Sequence, residues 1–178
     1  VVAASYELRP AVIELDFDGL FLREVRLSGL PGGTAPPLVG SLALSPRGDR
    51  LYLLDSANLR VWITDRDGAV RGSIDAGEGL SERQARDIIL GHVDVYGETV
   101  LLPVASSAQV RLFDLDGKPV KTVGMRGTAG CTLAFPTAAA LAGDDEVLII
   151  DQQRMVLLRW SVSSNRCLGD HLGLGDAP

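Results

Sequence analysis

The sequence predicts an all-β chain assembled from a repeated four-stranded antiparallel unit, and three observations predict it. The pairs Asp18-Gly19, Asp67-Gly68 and Asp116-Gly117 recur at two equal intervals of 49 residues. Ahead of the second and third pairs, "SLALSPRGDRLYLLDSANLRVWITDRDG" and "HVDVYGETVLLPVASSAQVRLFDLDG" share one order: strand, Gly-containing turn, strand, Ser-rich turn, strand, Asp-Gly turn. The apolar runs between the turns are too short for stable helices and either rich in aliphatics or alternating with period two.

Each element follows from its residues. The first strands are expected at Leu42 to Ser45 and Val93 to Val95, followed by turns holding Gly48 and Gly97. The second strands are "LYLL" and "VLLPV", whose continuous apolar character suits burial on both faces. Pro103 lacks a backbone donor, so an interruption or bulge is expected there. In the third strands Val61 with Ile63, and Val110 with Leu112, alternate with Arg60, Trp62 and Arg111, predicting one face more buried than the other. Asp-Gly then supplies the positive φ angles of a tight hairpin, and a fourth strand leaves as "AVRGSI" or "KPVKTV".

A further copy runs through "PTAAALAGDDEVLIIDQQRMVLLRWSVSSNRCLGD". Its Asp-Gly has decayed to Ser163 to Asn165, and asparagine tolerates the left-handed conformation the turn needs. Counting back from Leu51 lands on Val2, so Val1 to Ser5 reads as a second strand and Val12 to Leu15 as a third. The units are therefore a partial one at 1–27 and full ones near 41–75, 92–124 and 137–173.

Four-stranded antiparallel units of this length, none able to bury both faces alone, are the blades of a β-propeller. About three and three-quarter blades are present. An open fan would expose apolar faces and strand edges, so missing sequence or a second chain is expected to complete the ring. A carboxy-terminal piece of a larger propeller is the reading favoured over a dimerising half-propeller.

Composition excludes several classes. At 46% hydrophobic and 22% charged the chain should fold rather than remain disordered. No apolar run approaches the ~20 residues of a membrane span, and "VVAASYELRP" lacks the order of a signal peptide. With a net charge of −6 and 17 Lys and Arg spread singly, no basic stripe for nucleic acid is visible.

The segments "LYLLDSANLRVWITDRDG", "VLLPVASSAQVRLFDLDG" and, more weakly, "VLIIDQQRMVLLRW" resemble the NHL-repeat type of propeller and related six-bladed propellers. That pattern has an aliphatic strand, Asp with small polar residues, an Arg-aliphatic alternation and Asp-x-Asp-Gly. WD-repeat propellers fit less well, since no Trp-Asp pair closes a repeat.

Function in such a scaffold is expected in the loops between blades: Ser28 to Gly40, Ala76 to Gly91 and Gly124 to Pro136. His92 and Asp94, at the head of a first strand, are candidate contributors to a propeller hydrolase or lyase. A zinc lyase would want about three such histidines; the chain has two, and the counterparts of His92 are expected to be Ser41 and Thr137. The Asp-x-Asp-Gly motifs lack the following Glu of an EF-hand loop and read as turns, so neither metal nor cofactor is expected. "SERQAR" should form a helical turn capped by Ser81, with Arg83 and Arg86 on one face as the candidate protein contact. Cys131 and Cys167 could close a disulfide, which would place the protein in an oxidising, extracytoplasmic compartment; two buried thiols are the alternative. The leading function is a non-catalytic protein-binding or scaffold module, with the partial propeller enzyme as the alternative.

Overall fold

The computed structural model of the protein describes residues 2–4, 11–127 and 130–173. Its strands form four sheets, each antiparallel between sequence neighbours. The first has three strands, β1 (Val2–Ala4), β2 (Ala11–Leu15) and β3 (Phe21–Arg26). The second has β4 (Val39–Leu44), β5 (Arg50–Asp55), β6 (Arg60–Asp65) and β7 (Val70–Asp75). After a short helix, α1 (Glu82–Arg86), come β8 (Asp94–Tyr96), β9 (Thr99–Val104), β10 (Gln109–Asp114) and β11 (Pro119–Val123). The last sheet is β12 (Pro136–Leu141), β13 (Glu146–Asp151), β14 (Val156–Ser161) and β15 (Arg166–Gly173).

The chain forms two compact units, Val1–Gly79 and Leu80–Pro178, with two sheets in each. In the first unit, Val12 and Val25 of the first sheet pack with Leu51, Leu53 and Trp62 of the second. In the second, Leu101, Val110, Leu112 and Val123 pack with Val147, Ile149, Leu158 and Trp160. Each unit therefore repeats one contact, the face of one blade on the opposite face of the next. The first residue of the opening strand reading, Val1, and its last, Ser5, lie outside the described residues.

Three details differ from the sequence expectation. Pro103 does not interrupt β9, which pairs without a register shift and sets Val110 opposite Pro103. The Pro103 carbonyl accepts from the Gly91 N–H at 2.8 Å; the carbonyl and the missing N–H share that edge, and β8 stops short of it. Strand β6 is buried on both faces, Val61 to Thr64 all being covered. The alternation there is of residue type and not of burial. The Asp-Gly turns are three-residue loops, because only the glycine has positive φ: +80° at Gly19, +85° at Gly68 and +86° at Gly117. Gly68 N–H bonds the Asp65 carbonyl at 3.1 Å and Asp65 N–H the Ala69 carbonyl at 3.1 Å, a type I turn followed by a glycine bulge. Asn165 takes the corresponding place in the last blade with φ +49°, as its residue type predicts.

Candidate partner-binding rim

In the second, third and last blades, the turn between second and third strands is tied to the loop leading into its blade. In the second blade the tie is Asp55, fully buried. Its Oδ1 accepts from the N–H groups of Leu38 at 2.9 Å, Ala57 at 3.1 Å and Asn58 at 3.3 Å. Its Oδ2 accepts from Asn58 Nδ2 at 2.6 Å and Trp62 Nε1 at 2.9 Å. Asp151, also buried, holds the Phe135 N–H at 3.2 Å and the Arg154 N–H at 3.1 Å in the last blade. A carboxylate with several charge-assisted donors is a stable way to bury one charge and a whole loop backbone together. In the third blade Val104 stands at this position, and the Ser106 hydroxyl replaces the carboxylate by accepting from Ile89 N–H at 3.2 Å. The turns end on a non-glycine residue in the left-handed region, Leu59, Ala108 and Met155, with φ between 50° and 55°. The sequence marks these positions only as an aspartate recurring after an aliphatic strand; what the carboxylates hold is visible in the fold.

The second unit shows what this tie positions. Ser106 holds Ile89 through its hydroxyl, and its carbonyl accepts from the Arg126 guanidinium. Ile89 and Met125, 49% and 59% exposed, therefore stand on loops anchored to one turn. Helix α1 forms as its sequence predicts: Ser81 caps it, and Gln84 returns a bond to the Ser81 N–H at 3.0 Å. Arg83 and Arg86 are exposed in its last turn, three residues before Ile89.

His92 and Asp94 lie two residues apart where the chain enters the third blade. His92 is exposed, and its backbone N–H donates to the Thr137 carbonyl at 2.8 Å. Asp94 Oδ1 accepts from the neighbouring Val95 N–H at 2.9 Å. The pairing registers make Ala138, not Thr137, the counterpart of His92, because Thr137 is the extra residue where β12 shifts register against β13. Among the described residues, no three His, Cys, Asp or Glu side chains gather as metal ligands. In the first unit a groove of about 410 Å³ lies between Pro31 to Thr34 and the side chains of Asn58, Arg60 and Trp62.

Cys131 and Cys167 form a disulfide across 36 residues, with Cα atoms 5.5 Å apart. It ties the loop before the last blade to that blade's outermost strand. Closing a loop of this length is worth about 3–4 kcal/mol in the chain-entropy account. Replacing both cysteines by serine is expected to remove about that much, read from urea unfolding; a loss near zero would mean that the loop is already held by other contacts.

In the first unit, the Asp-Gly turns lie at the other end of the strands, together with the ion pairs between the first two blades. Arg23 bridges Glu14 at 2.7 Å and Asp67 at 2.7 Å, and Arg66 reaches Glu14 at 2.5 Å. The Arg23 hydrogen bond, reinforced by the Arg66 charge, holds Glu14 below the usual glutamate range. Arg71, with the Ala69 N–H, does the same for Asp65. Groups lowered in the folded state stabilise it above their unfolded values and lose that contribution as pH falls through the folded ones. The unfolding midpoint in urea should therefore drop on acidification below the ordinary carboxylate range, and Glu14→Gln should flatten part of that dependence. An unchanged pH profile in Glu14→Gln would remove this cluster from the account. In each motif the first aspartate already accepts two backbone N–H groups, Asp65 at 3.0 and 3.0 Å and Asp16 at 2.9 and 2.8 Å, so these motifs are turn locks.

No family model matches the chain, and no curated protein matches it. Solved structures do. Hydrazine synthase from Kuenenia stuttgartiensis aligns with TM-score 0.61 and 13% identity over 90% of this chain and 42% of that one. The structure of U3-55K aligns with TM-score 0.62 and 13% identity over 90% and 47%. The WD40 repeats of RRP9 align with TM-score 0.62 and 12% identity over 89% and 44%. The fold is a β-propeller. Identities this low show the fold alone, and the chain spans less than half the length of these solved chains. No helix among the described residues is long and apolar enough to cross a membrane.

Proposed function

We propose that the protein is a non-catalytic, NHL-like propeller module that binds a protein partner on its loop rim, as a subunit or domain of a larger assembly. The observation that carries this reading is the rim of the second unit, where exposed Ile89 and Met125 stand on loops anchored to the Ser106 turn beside Arg126. Apolar side chains held on a fixed backbone and flanked by arginines are the composition of a protein-binding surface. Arg83 and Arg86 extend it and steer an acidic partner. The Cys131–Cys167 disulfide supports work in an oxidising, extracytoplasmic compartment.

The test is crosslinking followed by mass spectrometry in the native source, with the wild-type chain beside Arg83→Glu/Arg86→Glu and Met125→Asp. The same partner should crosslink to residues of the 76–91 and 124–136 loops in the wild type. It should fall by about tenfold or more in both variants while their melting curves stay unchanged. Equal crosslinking by the folded variants would reject this rim as the binding surface.

A further inference from the structure

Two glycines keep the groove of the first unit open. Its loop wall is Pro31 to Thr34, a turn closed by the Thr34 N–H on the Pro31 carbonyl at 3.3 Å. Gly32 and Gly33 bring no side chain to it, and a Cβ on either would meet nothing within 4 Å. The other lining side chains are Asn58, Arg60 and Ser73, with the almost fully buried Trp62 indole among them. A groove of about 410 Å³ is of the size that holds a small molecule.

The hydrogen-bonding capacity left in this groove is of both kinds. Arg60 donates to Ser73 Oγ at 3.4 Å and to Asp75 at 3.1 Å, and its other guanidinium N–H groups have no acceptor among the described residues. The Ser73 hydroxyl accepts there and keeps its own proton to donate. Thr34 does the reverse: its hydroxyl donates to the Pro31 carbonyl at 2.6 Å and keeps its lone pairs. Asn58 and Trp62 are already spent, the amide on Ala35 and Asp55 and the indole N–H on Asp55. Charge works against ions of either sign. Arg60 repels a cation, while Asp75 beside it and Asp55 behind Asn58 and Trp62 repel an anion.

We propose that this groove binds a neutral saccharide unit of one or two rings. Sugar hydroxyls donate and accept at once, so one array satisfies the spare Arg60 and Ser73 donors and the Thr34 acceptor. The C–H faces of the ring lie against Pro31 and the indole, as in other small-molecule sites where a few polar groups orient an apolar contact. The site is confined to the first unit and shares no residue with the partner surface around Ile89 and Met125, so each reading can fail while the other stands.

The chain has two tryptophans, and their indole N–H signals in heteronuclear NMR supply both reporter and control. Trp62 lines the groove, whereas Trp160 donates to Asn165 in the second unit. Titration with glucose, maltose, cellobiose and diacetylchitobiose, and with galacturonate as the acidic counterpart, should shift the Trp62 signal saturably at millimolar concentration for at least one neutral sugar. The Trp160 signal should stay in place. Gly32→Leu, which fills the groove, and Arg60→Met, which removes the donors, should each weaken that titration by about tenfold or more with melting curves retained. No saturable shift with any of these sugars would overturn the proposal. So would an undiminished shift in either folded variant, or tighter binding of galacturonate than of every neutral sugar.

Discussion

Replacing Asp55 with alanine is expected to destabilise the protein by about 3–5 kcal/mol, the largest effect of any single side chain described above. The carboxylate is fully buried and serves five hydrogen bonds from Leu38, Ala57, Asn58 and Trp62. Alanine removes all five acceptor contacts and cannot replace them, so buried N–H groups are left without partners at about 1–3 kcal/mol each where water cannot reach. Asp55→Asn should lie between wild type and alanine. Its oxygen can keep the Leu38 loop, but its amide then points donors at the Trp62 and Asn58 donors. The measurement is urea unfolding with the slope checked, since an unchanged slope shows that stability alone has moved. A loss below about 1 kcal/mol in the alanine variant would mean that the loop before the blade is held by something other than this carboxylate.

The second large effect is expected at Gly68, and Gly19 is its control. Both have positive φ, +85° and +80°, so alanine costs each about 1–2 kcal/mol in backbone strain. A Cβ on Gly19 would meet nothing within 4 Å, whereas on Gly68 it would lie 2.2 Å from the Arg26 carbonyl oxygen. That carbonyl belongs to β3, and relieving the clash must part the first blade from the second. The parting breaks the bonds from Ser28 N–H to the Gly68 carbonyl and from Val70 N–H to the Ser28 carbonyl, both 2.9 Å. Gly68→Ala should therefore cost at least about 2 kcal/mol more than Gly19→Ala. Equal losses at the two sites would show that the turn conformation alone is at stake and that the Arg26 contact is slack.

The repeat and its phase were legible in the sequence because they are local. Asp-Gly spacing, short aliphatic runs and the Ser81 cap each depend on residues close in the chain, and Asn165 in the left-handed region follows from residue type. What escaped the sequence depends on partners far away. Asp55 and Asn58 look like any polar turn, and only the fold brings the Leu38 N–H and the Trp62 indole onto the carboxylate. Pro103 was expected to break a strand, but its lost donor falls on an edge where β8 has already ended. Gly19 and Gly68 carry one motif, yet only Gly68 has a neighbouring blade against its α-carbon. Of the candidate site, the helix with Arg83 and Arg86 could be read, as could the cysteine pair. The grouping of Ile89, Met125 and Arg126 around Ser106 could not, because it joins two loops through the turn of a third segment.

The central claim is that these are propeller blades, with the proposed partner surface on the loops that carry Ile89, Met125 and Arg126, and crosslinking tests it most directly. The wild-type chain should crosslink one partner through the 76–91 and 124–136 loops, and Met125→Asp, with its melting curve unchanged, should lose that product by about tenfold or more. Equal crosslinking by the wild type and the folded Met125→Asp variant would contradict the account of this rim.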